Sequence, residues 1–332
     1  MKKFELTAEN KTYWCGRTLY RIKACIDFTT TSGSEVKAGE LGGYVEKEQN
    51  LSHDGKAWVF DNAEVYGDAE VYGDAEVWGD AEVWGNAKVW GNAKVWDNAK
   101  VWGNAKVYGN AKVYGNAKVY GDAEVWGDAE VWGNAKVWGN AKVWDNAKVW
   151  GNAKVYGNAK VYGDAEVYGD AEVWGDAEVW GNAKVWGNAK VYGDAEVWGD
   201  AEVWGNAKVW GDASIFSTKH IFCVTPIGQY ANSLTVFRTK NRELKISFEF
   251  KTYEIEEFRK AIHDSWDEEY VCIAEGAISL AKKHIDLTPE KSFKDCPFCG
   301  GKAELDEDSD VVICTECGST AKEEIWNNRC DG

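Results

Sequence analysis

The stretch GNAKVWGNAKVWDNAKVWGNAKVYGNAKVY, Gly85–Tyr114, has a period of six. That period excludes the 3.6- and 3.5-residue repeats of helices. Within each hexad Ala, a charged residue, Val and an aromatic ring follow the two-residue rhythm of a strand, and Gly-Asn is a two-residue turn signal. Ala recurs at every sixth position from Ala57 to Ala213, giving 27 hexads of the form A-x-V-aromatic-G-[DN]. The x slot is mostly Glu or Lys, and Val becomes Ile only at Ile215. The aromatic slot holds 16 Trp, nine Tyr and two Phe, the latter being Phe60 and Phe216. Gly gives way to Asp at Asp61, Asp97 and Asp145, and Asp tolerates the positive φ that such a turn requires. A four-residue strand and a two-residue turn, repeated without a break, predict a β-solenoid. Ala and Val face its narrow interior, while the charged residues and the rings face outward.

Over Ala57–Phe216 this pattern resembles the hexapeptide-repeat proteins, with Val as the inward aliphatic residue and Ala as the small one four positions later. The resemblance implies a single-stranded, left-handed parallel β-helix with three hexads per triangular coil. Nine coils then make a rod of about 43 Å at a strand spacing of about 4.8 Å. One departure is the aromatic residue directly after Val, where those proteins carry a small residue. Charge alone does not select the coil: x residues 18 apart give 13 opposite-sign and 9 like-sign pairs, and those 12 apart give 13 and 10. The charges come in linked sets, D-A-E or N-A-K, with Asn62–Glu64 the exception. Residues 73–114 recur unchanged at 121–162. The displacement is eight hexads, which is not a whole number of three-hexad coils, so the duplicated segment lands on rotated faces.

The flanks divide the chain further. Residues 1–56 are expected to cap the first coil, because an open strand edge invites pairing with other chains. Their segments GRTLYRI, VKAGELGGYVE and NLSHDGKAWV resemble the N-terminal caps of prophage and enterobacterial hexapeptide-repeat proteins. Residues 57–216 form the β-helix. In 217–288, HIFCVTPIG and SLTVFRTKNRELKISFEF read as strands, and EIEEFRKAIHDSW and YVCIAEGAISLAKKHI as amphipathic helices, which makes a small α+β domain. VTPIG and FRTK resemble the domain that follows such repeats in phage proteins. Residues 289–332 contain CPFCGGKAELDEDSDVVICTECG, in which Cys296, Cys299, Cys314 and Cys317 form CxxC-x14-CxxC. Two knuckles of this kind present four thiolates tetrahedrally to a structural Zn2+, the staple that a unit too small for its own core needs. DCPFCGGKAEL, VICTECG and EEIWNNR resemble the zinc ribbon of the restriction-alleviation (Lar-like) family, which implies interference with host restriction of incoming DNA.

The remaining features bound the function. No run of about 20 apolar residues marks a membrane span, and the N-terminus lacks the apolar run of a signal peptide. An odd nine cysteines suit a reducing compartment, so a cytoplasmic location in a bacterial host is expected. None of the four histidines, His53, His220, His263 and His284, lies within the repeats, and no loop interrupts them to form a transferase pocket; a non-enzymatic protein is expected. The outward rings include Trp78, Trp84, Trp90, Trp96, Trp102, Trp126, Trp132, Trp138, Trp144, Trp150, Trp174, Trp180, Trp186, Trp198, Trp204 and Trp210. They read in two ways: as ladders that stabilise a thin core, or in addition as a surface that binds a partner. Three classes of function follow. The first is a phage or prophage interaction or scaffold protein, acting on a host or phage protein and displaying the zinc ribbon. The second is a self-associating structural protein. The third is an acidic DNA mimic, supported by the net charge of −17 but weakened by 14 lysines against 25 acidic residues in 57–216, a net −11. The acidic rod is not expected to bind nucleic acid directly; the zinc ribbon leaves that possibility open.

Overall fold

The computed structural model describes residues 2–228, 231–249 and 251–288 in full, and the backbone alone for residues 303–306, 311–314 and 320–322. The chain divides into two compact units, Met1–Leu287 and Thr288–Gly332.

In the first unit every hexad contributes a short strand centred on its x and Val residues, from Trp58–Val59 to Ser214–Ile215. Each strand up to Glu196–Val197 pairs in parallel with the one three hexads on, as Lys88 lies opposite Lys106 and Val89 opposite Val107. One coil is therefore three hexads, a sequence separation of 18 between stacked positions. The 27 strands stack as three parallel faces. The regular strand is shorter than the hexad pattern predicts. Most span only x and Val, and four, such as Lys118–Gly121, extend to the glycine. The hydrogen bonding does not shorten with it: Trp90 N–H donates to the Val107 carbonyl (3.0 Å) and the turn residue Asn92 to the Gly109 carbonyl (2.8 Å). Turn peptides thus belong to the ladder, which leaves few backbone groups unpaired along the stack.

The turn fixes the glycine for two reasons. Its φ lies between 61° and 74° throughout the repeat, a region costly for residues with a Cβ. A Cβ on Gly85 would also sit 3.0 Å from the Gly103 nitrogen of the next coil. Asp97, at φ 59°, compensates by accepting a hydrogen bond from Gly115 N–H (3.1 Å); Asp61 and Asp145 do the same for Gly79 and Gly163. Inside, the Ala and Val of the hexads are buried and form one continuous core.

Both ends of the stack are elaborated. At the N-terminal end, β1 (Phe4–Thr12), β2 (Thr18–Ala24) and β3 (Leu41–Val45) extend the first face into a 12-stranded sheet. Trp58 occupies an outward x slot yet is fully buried, edge-on to Phe4 and Phe28. Lys3 Nζ donates to the Ala57 carbonyl (2.8 Å), and Gly42 lies so close that a Cβ there would be 2.5 Å from the Val59 carbonyl oxygen. At the other end, β4 (Ile221–Ile227), β5 (Asn232–Arg238), β6 (Leu244–Phe248) and β7 (Lys251–Glu254) form an antiparallel sheet in sequence order. The helices α1 (Ile255–Ser265) and α2 (Glu268–His284) follow. Ile255, Phe258 and Ile262 of α1, and Ala274, Ile278 and Ala281 of α2, form buried stripes at helical spacing and join a second core with Leu234, Val236 and Ile246. Ile221 and Phe237 close the repeat core itself.

In the second unit, β8 (Ala303–Asp306), β9 (Val311–Cys314) and β10 (Thr320–Lys322) form a three-stranded antiparallel sheet. Among the described residues, no helix is long and apolar enough to cross a membrane.

Candidate interaction surface

The aromatic slot builds three ladders. Most successive rings, one coil apart, lie nearly parallel, as Trp84–Trp102 at 4.8 Å and 3° and Trp102–Tyr120 at 4.3 Å and 2°, while Tyr192–Trp210 is edge-on at 62°. Stacked pairs contribute about 0.5–1.5 kcal/mol each beyond the area they bury, so the ladders reinforce a core made only of small residues. Because each ring covers its neighbours' faces, the slot is half-buried at every position except Trp204, which is 58% exposed. The surface therefore presents mainly ring edges, which is how so many aromatic residues coexist with water. Among the Trp–Trp pairs, Trp78–Trp96 departs from stacking, with ring planes at 85°.

Beside the rings runs a junction that the sequence only hinted at. Asn at the turn donates its side-chain N–H to the Asn or Asp one coil on, as in Asn86 to Asn104 (3.0 Å) and Asn104 to Asp122 (2.8 Å). Asp can accept but not donate, so it terminates a run of this kind. The linked charge sets make some of these stacks complementary at two positions at once. Where an N-A-K hexad precedes a D-A-E hexad by one coil, Asn104 bonds to Asp122 while Lys106 reaches Glu124 (2.8 Å). The same double junction joins Asn110 and Lys112 to Asp128 and Glu130, and Asn158 and Lys160 to Asp176 and Glu178. Tyr hydroxyls add a third donor, Tyr162 to Glu178 (3.2 Å) and Tyr114 to Glu130 (3.3 Å). Burial and then the facing glutamate push the Tyr114 hydroxyl up to about 12, and that of Tyr156, beside Glu172, likewise.

Irregular concavities among the described residues include a shallow one beside Trp210 and Lys251 and three others. Near the N-terminus a groove of about 450 Å3 is bounded by the β1–β2 turn, where Lys11 and Tyr13 bind the Glu64 carboxylate (3.0 and 2.6 Å) and Trp14 stands 99% exposed. A second hollow opens where Trp78 and Trp96 fail to stack, with Lys94 over the Trp78 ring (5.6 Å). The third, about 330 Å3, lies between Trp204–Ala207 and β4, beside His284.

Three of the four histidines are engaged in packing or capping, and the fourth, His263, is exposed. His53 stacks on Phe4 at 4.3 Å and contacts Glu48, and His284 reaches the Thr218 carbonyl. His263 lies near Glu275. His220 Nδ1 accepts from Phe216 N–H (3.3 Å), and burial, followed by the charge of Arg238, pulls its pKa down to about 4. Cys296, Cys299 and Cys317 lie outside the described residues, and of Cys314 only the backbone, paired with Ala303, is described. Among the described residues no group of three or more His, Cys, Asp or Glu is placed to hold a metal. The chain matches no protein-family model and no curated protein.

Proposed function

We propose that this chain is a non-enzymatic interaction or scaffold protein, in which a rigid solenoid serves as a spacer carrying recognition elements. The observation that carries this reading is the unbroken stack. The coils repeat without an inserted loop, and their outward groups are spent on one another through ring stacks, amide ladders and Lys–Glu junctions. Such a surface is stiff and self-satisfied, and apart from the hollow at Trp78 and Trp96 the irregular chemistry sits at the two ends.

The finer reading rests on the resemblances. It is a left-handed coil with residues 1–56 as its cap, in a phage or prophage protein of the bacterial cytoplasm that acts on a host or phage protein to counter restriction. The four-thiolate donor set of Cys296, Cys299, Cys314 and Cys317 suits a structural Zn2+, and Cys314 ends a strand of a small antiparallel sheet, a setting compatible with a ribbon. Bound zinc would cross-link this short segment, with no chemistry of its own to perform. The self-associating alternative is disfavoured at the N-terminal coil, whose edge is occupied by Lys3 and Gly42.

Affinity capture from bacterial lysate with the full chain and with a chain lacking residues 289–332 tests the proposal. A partner lost on truncation supports it, and identical partner sets count against a recognition role for the ribbon. Metal analysis of the purified chain is expected to give one zinc, lost in the Cys296→Ser/Cys314→Ser variant.

A further inference from the structure

The three faces of the solenoid do not end alike. Within the stack, the x, aromatic and turn N–H groups of each hexad donate to the next coil. On the third face these bonds run from Lys184 to Ala201 (2.9 Å), Trp186 to Val203 (3.0 Å) and Asn188 to Gly205 (2.8 Å). One coil further the row needs substitutes. On the first face, one group of the row, Lys208 N–H, finds Thr235 Oγ1 (3.0 Å), and Lys240 N–H of the following domain donates to the Asp212 carbonyl (2.8 Å). On the second, Phe216 N–H finds His220 Nδ1 (3.3 Å). On the third, no acceptor among the described residues faces the N–H groups of Glu202, Trp204 and Asn206, and Glu202–Val203 is the outermost strand of its sheet. The ring ladder ends there too, with Trp204 58% exposed. Opposite lies β4, itself the outer strand of the antiparallel sheet, and the groove of about 330 Å3 between them is lined by Trp204, Asn206, Ile221, Phe222, Cys223 and His284.

We propose that this edge is a β-augmentation site that receives one extended peptide segment of another protein, parallel to Glu202–Asn206. The identity of the occupant follows from what the preceding coils supply. Main-chain carbonyls must meet the three N–H groups. A planar side chain completes the stack on Trp204, and a Lys faces Glu202 as Lys100 faces Glu82 (2.6 Å). Small residues point inward, where Ile221 already closes the core. A second copy of the chain fits poorly. Its own third-face edge is flanked by the same β4 and α2 wall, and its N-terminal edge is covered at Ala57 and Val59. The peptide deepens the scaffold reading by giving it a partner chemistry, and it does not depend on the zinc-ribbon segment.

The test uses the full chain and a fluorescein-labelled peptide of sequence NAKVWGN, which is that of Asn86–Asn92. Saturable binding is expected, together with slowed hydrogen exchange at Glu202, Trp204 and Asn206. In a parallel pair the peptide's Val N–H faces the solenoid and its Lys N–H faces away. N-methylation at Val should therefore abolish binding, whereas N-methylation at Lys leaves it intact. Trp204→Ala should weaken binding about tenfold, the upper range of an aromatic pair, with an unchanged circular dichroism spectrum. The proposal is overturned by absence of saturable binding, by equal effects of the two N-methyl peptides, or by protection of the three amides in the peptide-free chain. A dimer abolished by Trp204→Lys would instead assign the edge to a second copy and also overturn it. Loss of lysate partners on ribbon truncation, with peptide binding intact, separates this site from the ribbon's role.

Discussion

Replacing the turn glycine Gly151 by Ala and by Asp separates the two constraints that the coil imposes. The backbone there has φ 69°, and an added Cβ would lie 3.0 Å from the Gly169 nitrogen and 3.1 Å from its carbonyl oxygen. An L-residue in this conformation costs about 1–2 kcal/mol, offset by about 0.4–1 kcal/mol from the reduced freedom of the unfolded chain. With the tight backbone contact added, Gly151→Ala should destabilise by about 1–2 kcal/mol. Asp bears the same Cβ, but its carboxylate can accept from Gly169 N–H as Asp97 accepts from Gly115 (3.1 Å). A hydrogen bond to a charged acceptor recovers about 1.5 kcal/mol, so Gly151→Asp should lie within about 0.5 kcal/mol of the parent. The native aspartates supply the reciprocal pair: Asp97→Gly should be nearly neutral and Asp97→Ala destabilising. Guanidinium unfolding followed by far-ultraviolet circular dichroism reads the order, as midpoint shifts rather than a two-state free energy, because stacked repeats need not unfold as one unit. Equal midpoints for the Ala and Asp variants at both positions would refute the compensation.

Other expectations follow from the same geometry. His220 is held neutral in the fold, with its pKa lowered from 6.5 to about 4 by burial. Its contribution is therefore present above pH 6.5 and lost as pH falls through about 4; melting temperature against pH should show an acid step that His220→Gln removes. Tyr114 and Tyr156 are raised from 10.0 to about 12. Their contribution is thus full below pH 10 and lost as pH rises through about 12, which ultraviolet titration of the phenolates checks directly. Deleting one hexad, residues 121–126, keeps Ala and Val inward and should leave cooperative unfolding intact. Deleting 123–125 alone breaks the hexad frame and turns charged residues toward the core, so its near-ultraviolet dichroism should collapse.

The sequence made the inside of the fold legible because period and side-chain size point the same way: a residue as small as Ala recurring without a miss leaves no other row to fill a narrow core. The charge pattern did not reveal the length of a coil, and the three-hexad coil that the structure shows came from the resemblance to hexapeptide-repeat proteins. The opposite-sign pairs 18 and 12 apart were equal in number, and what fixes the three-hexad coil is the backbone ladder, to which side-chain charge is indifferent. The link between Asn and Lys, or Asp and Glu, was visible as a pattern, but its meaning required knowing that Asn104 sits under Asp122 while Lys106 sits under Glu124. The rings were legible as outward and stacked. Their half-burial was not, because it depends on each plane covering the next. The open edge at Glu202–Asn206 was least legible of all. It arises where Thr235, 27 residues beyond Lys208, and His220, four residues beyond Phe216, each supply an acceptor to one face, while the N–H groups of Glu202, Trp204 and Asn206 have none among the described residues.

The three-hexad coil underlies every junction described above, and a distance between spin labels tests it most directly. In a chain stripped of its reactive native cysteines, nitroxides replace Lys88 and Glu196, which lie on one face six coils apart. At about 4.8 Å per coil their backbones should be about 29 Å apart, and moving the second label from Glu196 to Glu178 should shorten the distance by one coil, about 4.8 Å. A separation that does not shorten by a single strand spacing over that move would contradict the account.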